Sequence, residues 1–506
     1  MADNIDKALD LGGKPELEIL KKETEVVVDG QRVPAPEGLE IEMDEDGGAT
    51  LDFDPREALP EIEFYSNLAE VIDDRDLAEL SDELMGDFES DKSSRKEWED
   101  AYIKGLGLLG IKYEERTNPF RGASSATHPL LAESATQFQA TAFKELLPAG
   151  GPVRTVIMGD ETPEKYARAG RVQEFMNFQL MNKMEDYTPE FDQMLFYLPL
   201  AGSTFKKVYY DELMERPVSK FVPAEDLVVN YLSTDLDNCE RICHVINMSY
   251  NDFRKKQVSG FYKDVDILPQ EAEENDVQKK YNELQGTKPS YADKVVRLYE
   301  FHTSIDLKDF EDKDDSGEMT GIKIPYIVTV EEGSSQVVGI RRNYEKDDPK
   351  KMKKQYFVQY KFLPGLGFYG FGLIHLIGGL SRTATDILRQ LLDAGTLSNL
   401  PAGFKSRGIR MRDDADPLQP GEFRDIDAPN GDLRNSFMPL PYKEPSQTLY
   451  SLLGFVVQAG QRFASIADMQ VGDANQNAPV GTTIALLERG SRIMSAIHKR
   501  CYYSQK

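Results

Sequence analysis

The stretch FLPGLGFYGFGLIHLIGGL, residues 362–380, carries Gly365-Leu366-Gly367-Phe368-Tyr369-Gly370, the G-x-G-x-x-G spacing of a dinucleotide-binding loop. In that chemistry the glycines let the backbone close on a pyrophosphate at a helix start, and an acid about 20 residues on holds the ribose. The surrounding residues do not supply the rest. "KKQYFVQYKF" before the loop alternates like a half-exposed antiparallel strand, no strand pattern follows the helix before Pro401, and Asp386 and Asp393 fall inside the helix. Phe368 and Tyr369 would crowd a pyrophosphate, and neither G-x-x-x-x-G-K-S/T nor the other protein-kinase motifs are present. The expectation is a flexible strand-to-helix joint in which the glycines admit close approach of a neighbouring chain. A nucleotide-binding enzyme using the Gly365–Gly370 loop is the alternative.

Other candidate chemistry is thinner. "DKDDSG" at 312–317 imitates the start of a calcium loop, but the position that needs a bidentate Glu is Lys323, and the flanks read as strands. Cys239, Cys243 and His244 hint at metal, yet "ERICHVIN" reads as a strand in which Cys243 and His244 point to opposite faces, and a fourth ligand is missing. None of the five histidines, His128, His244, His302, His375 and His498, stands near a Ser or Cys in a nucleophile context. His375, at an apolar helix start, reads as a hydrogen-bonded packing residue. No catalytic, metal or cofactor site is expected.

Elements must position whatever does the work. At 506 residues the chain should form two or three structural regions. Its net charge of −27 is unevenly placed: residues 1–100 hold 32 acids and 10 bases, and the remainder is nearly balanced. So the acidity belongs to an N-terminal segment, and no basic patch marks a protein that grips duplex DNA. Three cysteines are too few for a disulfide framework, which points to assembly in a reducing cytosol. MADNIDKALD has neither basic nor apolar signal regions, and the most apolar stretch, 371–380, runs into Arg382, Asp386, Arg389 and Asp393 and cannot span a bilayer.

Residues 1 to about 60 are acidic without helical periodicity and read as a solvated or partner-ordered arm. Helical patterns begin near 65, with Ser93 or Ser94 as the cap of a second helix, Pro129 in the first turn of a third and Thr162-Pro163-Glu164 opening a fourth. In that fourth helix Phe175, Phe178, Leu180 and Met181 recur at helical spacing and read as core. From 203 to 362 the pattern is mainly β, with an acidic helical insertion around 265–286. Long helices follow from 371 and from a Ser446 cap, separated by a Pro/Gly/Arg-rich stretch, 401–445. A polar loop leads to a last helix, and because the sequence stops inside its pattern the native chain is expected to continue past Lys506.

This order of segments resembles the portal proteins of tailed double-stranded DNA bacteriophages, most closely the large portals of short-tailed phages. Five segments carry the resemblance in the same order: "RGASSATHPLLAESATQFQATAFKELLP", "PLAGSTFKKVYYD…FVPAEDLVVNY", "FYGFGLIHLIGGLSRTATDILRQLLDAGTLSNLPAGFKSRGI", "LQPGEFRDIDAPNGDLRNSFMPLPYKEPS" and "NAPVGTTIALLERGSRIMSAIHKR". It covers about residues 95–506. It implies an α+β ring subunit with an acidic arm (1–64), a helical (65–202) and a β-rich (203–370) part of the wing, a first stem helix (371–400), an α/β clip (401–445), a second stem helix (446–470), a tunnel loop (471–483) and a C-terminal helix (484–506) leading to a crown that this sequence lacks. The implied function is structural: a ring, usually of twelve subunits, at one capsid vertex of the virion, assembled in the host cytoplasm, through which the genome is packaged and ejected.

The resemblance also assigns residues. Leu373, Leu376, Gly379, Leu380 and Thr383 would face neighbouring subunits at the stem start. Asn475, Gln476 and Asn477 would line the DNA channel, where an uncharged loop touches DNA weakly and without sequence preference. Arg407, Arg410, Arg412, Arg424 and Arg434 would place charge at the clip, the docking site of the terminase large subunit and of head-completion, neck or tail adaptor proteins. Major capsid protein and scaffold are further implied partners; no membrane is. A scaffold or adaptor whose acidic arm binds a basic partner is the remaining alternative.

Overall fold

A computed structural model describes residues 63–112, 115–211, 214–271, 274–288, 294–313, 319–399, 442–463 and 495–506, together with the backbone of short strands elsewhere. The chain divides into two units, Met1–Ser66 and Asn67–Lys506. The first holds two antiparallel ladders, β1 (Glu25–Val28) with β2 (Gln31–Pro34) and β3 (Glu40–Met43) with β4 (Ala49–Asp52).

The second unit is α+β and opens with helices. α1 (Asp74–Ser94) starts where the Asp73 carboxylate accepts from the Arg75 amide. α2 (Lys96–Leu106) follows after Arg95 alone. Ser93 and Ser94, expected to cap α2, instead close α1; Arg95 occupies the cap position without a side-chain cap, because its guanidinium is committed to the interior. α3 (Leu130–Leu146) follows Pro129, and α4 (Pro163–Phe178) starts at Thr162, whose hydroxyl accepts from the Lys165 amide at 3.4 Å, both as the sequence indicates. α5 (Tyr187–Ala201) buries Tyr187, Phe191, Met194, Leu195 and Leu198, one face at helical spacing.

The β-rich part comes next. β5 (Ser203–Asp211), β6 (Arg216–Val222), β7 (Leu227–Val229) and β8 (Arg241–Ser249) lead to α6 (Tyr250–Val258). That helix, capped by the Ser249 hydroxyl on the Asp252 amide, has no counterpart in the sequence reading. After β9 (Gln270–Glu271), the expected insertion proves shorter: α7 (Asp276–Gln285), started by a capping box between Asn275 and Gln278 and ended by Gly286 in the left-handed region. β10 (Lys294–Ile305), β11 (Ile324–Glu331), β12 (Val337–Arg342) and β13 (Phe357–Lys361) complete the sheets. One sheet runs β12-β11-β10-β8-β7 with β9 beside β10, the other β13-β5-β6, and every pairing is antiparallel.

α8 (Leu373–Asn399) then crosses the body. Its first half buries Leu373, Ile374 and Ile377 among α2, α3 and α5, in the main core around Phe138, Phe191 and Phe205. Gly105 of α2 makes room for Ile374. Each such side chain, fully buried, contributes on the order of 2 kcal/mol. Its second half packs Ala384 and Ile387 on Val456 of α9 (Gln447–Phe463), which lies antiparallel to it: Pro445 sits beside Gly395 near one end of the pair, and Gly460 beside Leu130 near the other. Helix α10, residues 495–505, returns to the main core through Ile497 and Cys501. Between α8 and α9, β14 (Gly403–Lys405) pairs with β17 (Phe437–Pro439) around the inner pair β15 (Arg410–Met411) and β16 (Ile426–Asp427).

One expectation fails clearly. Phe175 and Phe178 are 60% and 48% exposed, and α4 buries no residue at all, whereas Leu180 and Met181 just beyond it do pack on the core.

Candidate functional site

The glycine loop leaves β13 at Lys361 and enters α8 at Leu373. Its ends are tied by an antiparallel bridge, with the Phe371 amide donating to the Leu363 carbonyl at 3.0 Å. The amides of Phe362 and Gly370 donate to the Gly202 carbonyl and the Ser203 hydroxyl, at 3.0 and 2.8 Å. These contacts draw the loop onto the α5–β5 turn, where Gly202 has φ of +82°. A Cβ on Gly370 would lie 2.5 Å from the carbonyl oxygens of Gly202 and Leu363, and one on Gly372 would lie 2.7 Å from that of Pro199. Of the expected close approach, the partner is therefore this chain's own turn at Pro199–Ser203. Gly367, by contrast, has open space around it. β13 is antiparallel to β5, as its alternation indicates, so the loop lacks the parallel strand on which a dinucleotide fold is built. His375 accepts from the Gly372 amide at 3.1 Å and closes the first turn of α8, the packing role read from its position.

Tyr369 pins the loop to the helices. Its ring stacks on Trp98 of α2 at 4.8 Å, and its hydroxyl accepts from the Arg95 guanidinium at 3.0 Å. That guanidinium is fully buried; it donates to the carbonyls of Ala224 and Leu227 at 2.9 and 2.7 Å and pairs with Glu99 at 2.8 Å. Beside it lie two buried acids, Glu225 and Asp226. Burial pushes the Glu225 carboxyl up to about 7, Asp226 adding to the rise, and burial pushes Asp226 up to about 6 against the pull of Arg95 and Arg297. Tyr281 of α7 shares a 2.9 Å hydrogen bond with Tyr102 of α2, closing the cluster from the insertion side. Loop, α2, α7 and the segment before β7 are thus held by one polar-aromatic knot. Its Arg95 and Tyr369 groups bond the chain's own backbone and one another, and so fix where the loop before α8 meets α2 and the segment before β7.

A second cluster joins the two sheets. Lys207 of β5 donates to both oxygens of Glu300 on β10 at 2.6 and 2.8 Å, and His302 bonds the same carboxylate at 2.7 Å. Burial would raise Glu300, but Lys207 and His302 outweigh it and hold the carboxyl well below its usual range. His244, cross-strand from Glu300, is pushed down to about 3, first by burial and then by Lys207. His302 also lines a cavity of about 280 Å³ with Asn343, Lys353 and Gln355. Glu300 and His302 were visible in the sequence as an i, i+2 pair on one strand face, and only the burial of that face was missing.

Cys239 accepts from the Ser233 hydroxyl, all three cysteines are buried and free, and Asp312 is taken by Lys351 and Thr320. Among the described residues no group of three or more His, Cys, Asp or Glu could hold a metal, and no helix is long and apolar enough to cross a membrane.

The sequence-derived site residues do not all fall on one surface. Leu376, Gly379 and Thr383 form an exposed face of α8, while Leu373 is buried in this chain's own core and Leu380 packs beside α9, so neither of these two is available in full to a neighbour. Arg410 lies in β15, opposite Asp427. Arg407, Arg412, Arg424 and Arg434 at the clip, and Asn475, Gln476 and Asn477 in the tunnel loop, lie outside the described residues. Exposed apolar residues also gather on the helix pair at Leu392, Tyr450, Leu452 and Phe455, which sequence periodicity alone does not distinguish from core. Compared with known proteins, the chain matches no family model, and no curated protein matches it.

Proposed function

We propose that this chain is a structural portal subunit, forming with copies of itself the ring at one capsid vertex through which viral DNA is packaged and ejected. The observation that supports the reading is the antiparallel α8–α9 pair. It follows the antiparallel sheets through the glycine loop, packs on α2, α3 and α5, and leaves Leu376 and Leu392 of one helix, and Tyr450, Leu452 and Phe455 of the other, exposed. A closed ring needs two different faces per subunit, repeated head to tail. Large apolar side chains on both helices of one pair supply them, and the exposed apolar area is of the kind that marks interaction sites. The near-neutral charge after residue 100 suits a conduit that touches DNA without holding it. In this reading the knot at Arg95 and Tyr369 transmits load between wing and stem, the segment between α8 and α9 meets terminase and adaptors, and the residues after α9 face the DNA.

Negative-stain electron microscopy with mass measurement on the purified full chain tests this. Rings with a central channel wide enough for duplex DNA are the expected result. A uniform monomer, also after any native residues beyond Lys506 are restored, would overturn it.

A further inference from the structure

The least explained element is α4. Together with residues 153–158 it forms a pre-built unit: the Asn177 side chain holds both backbone groups of Val153, at 2.9 and 3.1 Å, and Thr155 donates to Gln173 and to the Ala169 carbonyl. Asn177 and Gln173 therefore mark the inner side of the helix. At about 100° per residue the opposite side carries Arg168, Arg171, Val172, Phe175 and Phe178, spaced i, i+3, i+4, i+7, i+10. Val172, Phe175 and Phe178 are all exposed, as are Val156 and Met158 on the adjoining segment, at 85% and 90%. Arg154, Arg168 and Arg171 have no ion pair or hydrogen bond among the described residues. A rigid apolar face flanked by unpaired guanidinium groups is a surface made for an acidic partner.

The same chain offers one. The exposed side of α1 carries Glu79, Asp82, Glu83, Gly86 and Glu89, with the same i, i+3, i+4, i+7, i+10 spacing. Of its acids, only Glu79 has a described pairing, a solvent-exposed one with Arg75 at 3.6 Å. Gly86 lies in the middle of this 21-residue helix with nothing within 4 Å of a Cβ. An exposed glycine there costs about 1 kcal/mol against alanine, and no packing among the described residues accounts for it. Laid side by side and running the same way, the two faces bring Arg168 and Arg171 to Glu79 and Asp82, and Phe175 to the gap at Gly86.

We infer that α4 of one subunit docks on α1 of the next copy, a second head-to-tail contact away from the α8–α9 pair. The inference rests on the ring reading above. Its test uses the full chain with two charge reversals, Arg168→Glu with Arg171→Glu, and Glu79→Arg with Asp82→Arg, followed by mass photometry at low salt. Each double variant should self-associate about tenfold more weakly, since exposed pairs are individually modest, and all four changes together should restore assembly. Thermal unfolding of the dissociated variants should match that of the dissociated wild type, because every changed residue is exposed. In parallel, Val172→Cys places a single accessible thiol in a chain whose own cysteines are buried. That thiol should react with maleimide in the monomer and be protected in the ring. Wild-type rings unaffected by either reversal, or rings in which the Val172→Cys thiol still reacts, would overturn the docking while leaving the ring reading standing. A wild-type monomer would remove both.

Discussion

The start of α8 and the outer face of α4 carry nearly the same sequence signal and meet opposite fates. Leu373, Ile374 and Ile377 are buried among α2, α3 and α5; Val172, Phe175 and Phe178 touch nothing that buries them. Both sets are apolar residues at helical spacing. What separates them is the company they keep: α8 is led in by a loop whose glycines fit one turn of this same chain, and among the described residues α4 is held by polar bonds along its inner edge. Periodicity reports that a face will be covered, and it is silent on whether the cover lies in the same molecule.

That contrast can be broken at its strong end. Arg95→Ala removes the one cation that satisfies the Ala224 and Leu227 carbonyls, anchors Tyr369 and pairs with Glu99. Losing one partner from such a buried set should lower unfolding stability by about 3–5 kcal/mol. Chemical denaturation measures it; a loss below about 1 kcal/mol would mean the knot does not hold the joint.

The next effect depends on pH. Glu225 is an acid whose folded value, about 7, lies above its ordinary 4.5. The folded state therefore binds its proton more tightly than the unfolded one. The stabilisation is present in full below about pH 4.5 and is lost as pH rises through about 7, by roughly 3 kcal/mol in total. Asp226 acts in the same direction, so the informative quantity is the difference between wild type and Glu225→Gln across pH 4.5 to 7.5. The variant should lack that part of the decline, and parallel profiles would assign the proton elsewhere.

At the weak end, Phe175→Ser on α4 should change the unfolding stability of the isolated subunit by less than about 0.5 kcal/mol, the range of ordinary surface changes. A loss of 2 kcal/mol or more would put Phe175 inside a core after all, and the comparison would collapse.

Much of the architecture was legible without coordinates. The helix starts at Thr162 and after Pro129, the mainly β character of residues 203–362, the antiparallel alternation of the strand before the glycine loop and the joint at 362–372 follow from caps, alternation and glycines, which are local signals. The misses are of two kinds. Ser93 and Ser94 have good capping chemistry, yet the chain continues almost unbroken because the Arg95 side chain is drawn to carbonyls more than a hundred residues away. The knot of Arg95, Trp98, Glu225 and Tyr369, and the Lys207–Glu300–His302 cluster, join elements far apart in sequence, and no spacing rule reaches across such distances. α6 was hidden because "NDFRKKQV" carries little apolar patterning beyond Phe253, and only Ser249 marks its start.

The placement of Pro445 beside Gly395 has an evolutionary consequence. The chain departs from the end of α8 and comes back to the start of α9 at one point in space, so whatever is spelled between 400 and 441 hangs from a single fixed doorway. Entropy of closure grows only slowly with the length of such an excursion. The helix pair therefore constrains neither how long that segment is nor what it says. In the portal reading proposed above, a lineage whose docking partners change can rewrite this cassette alone, as a tool changes its bit, while the body that holds it stays the same.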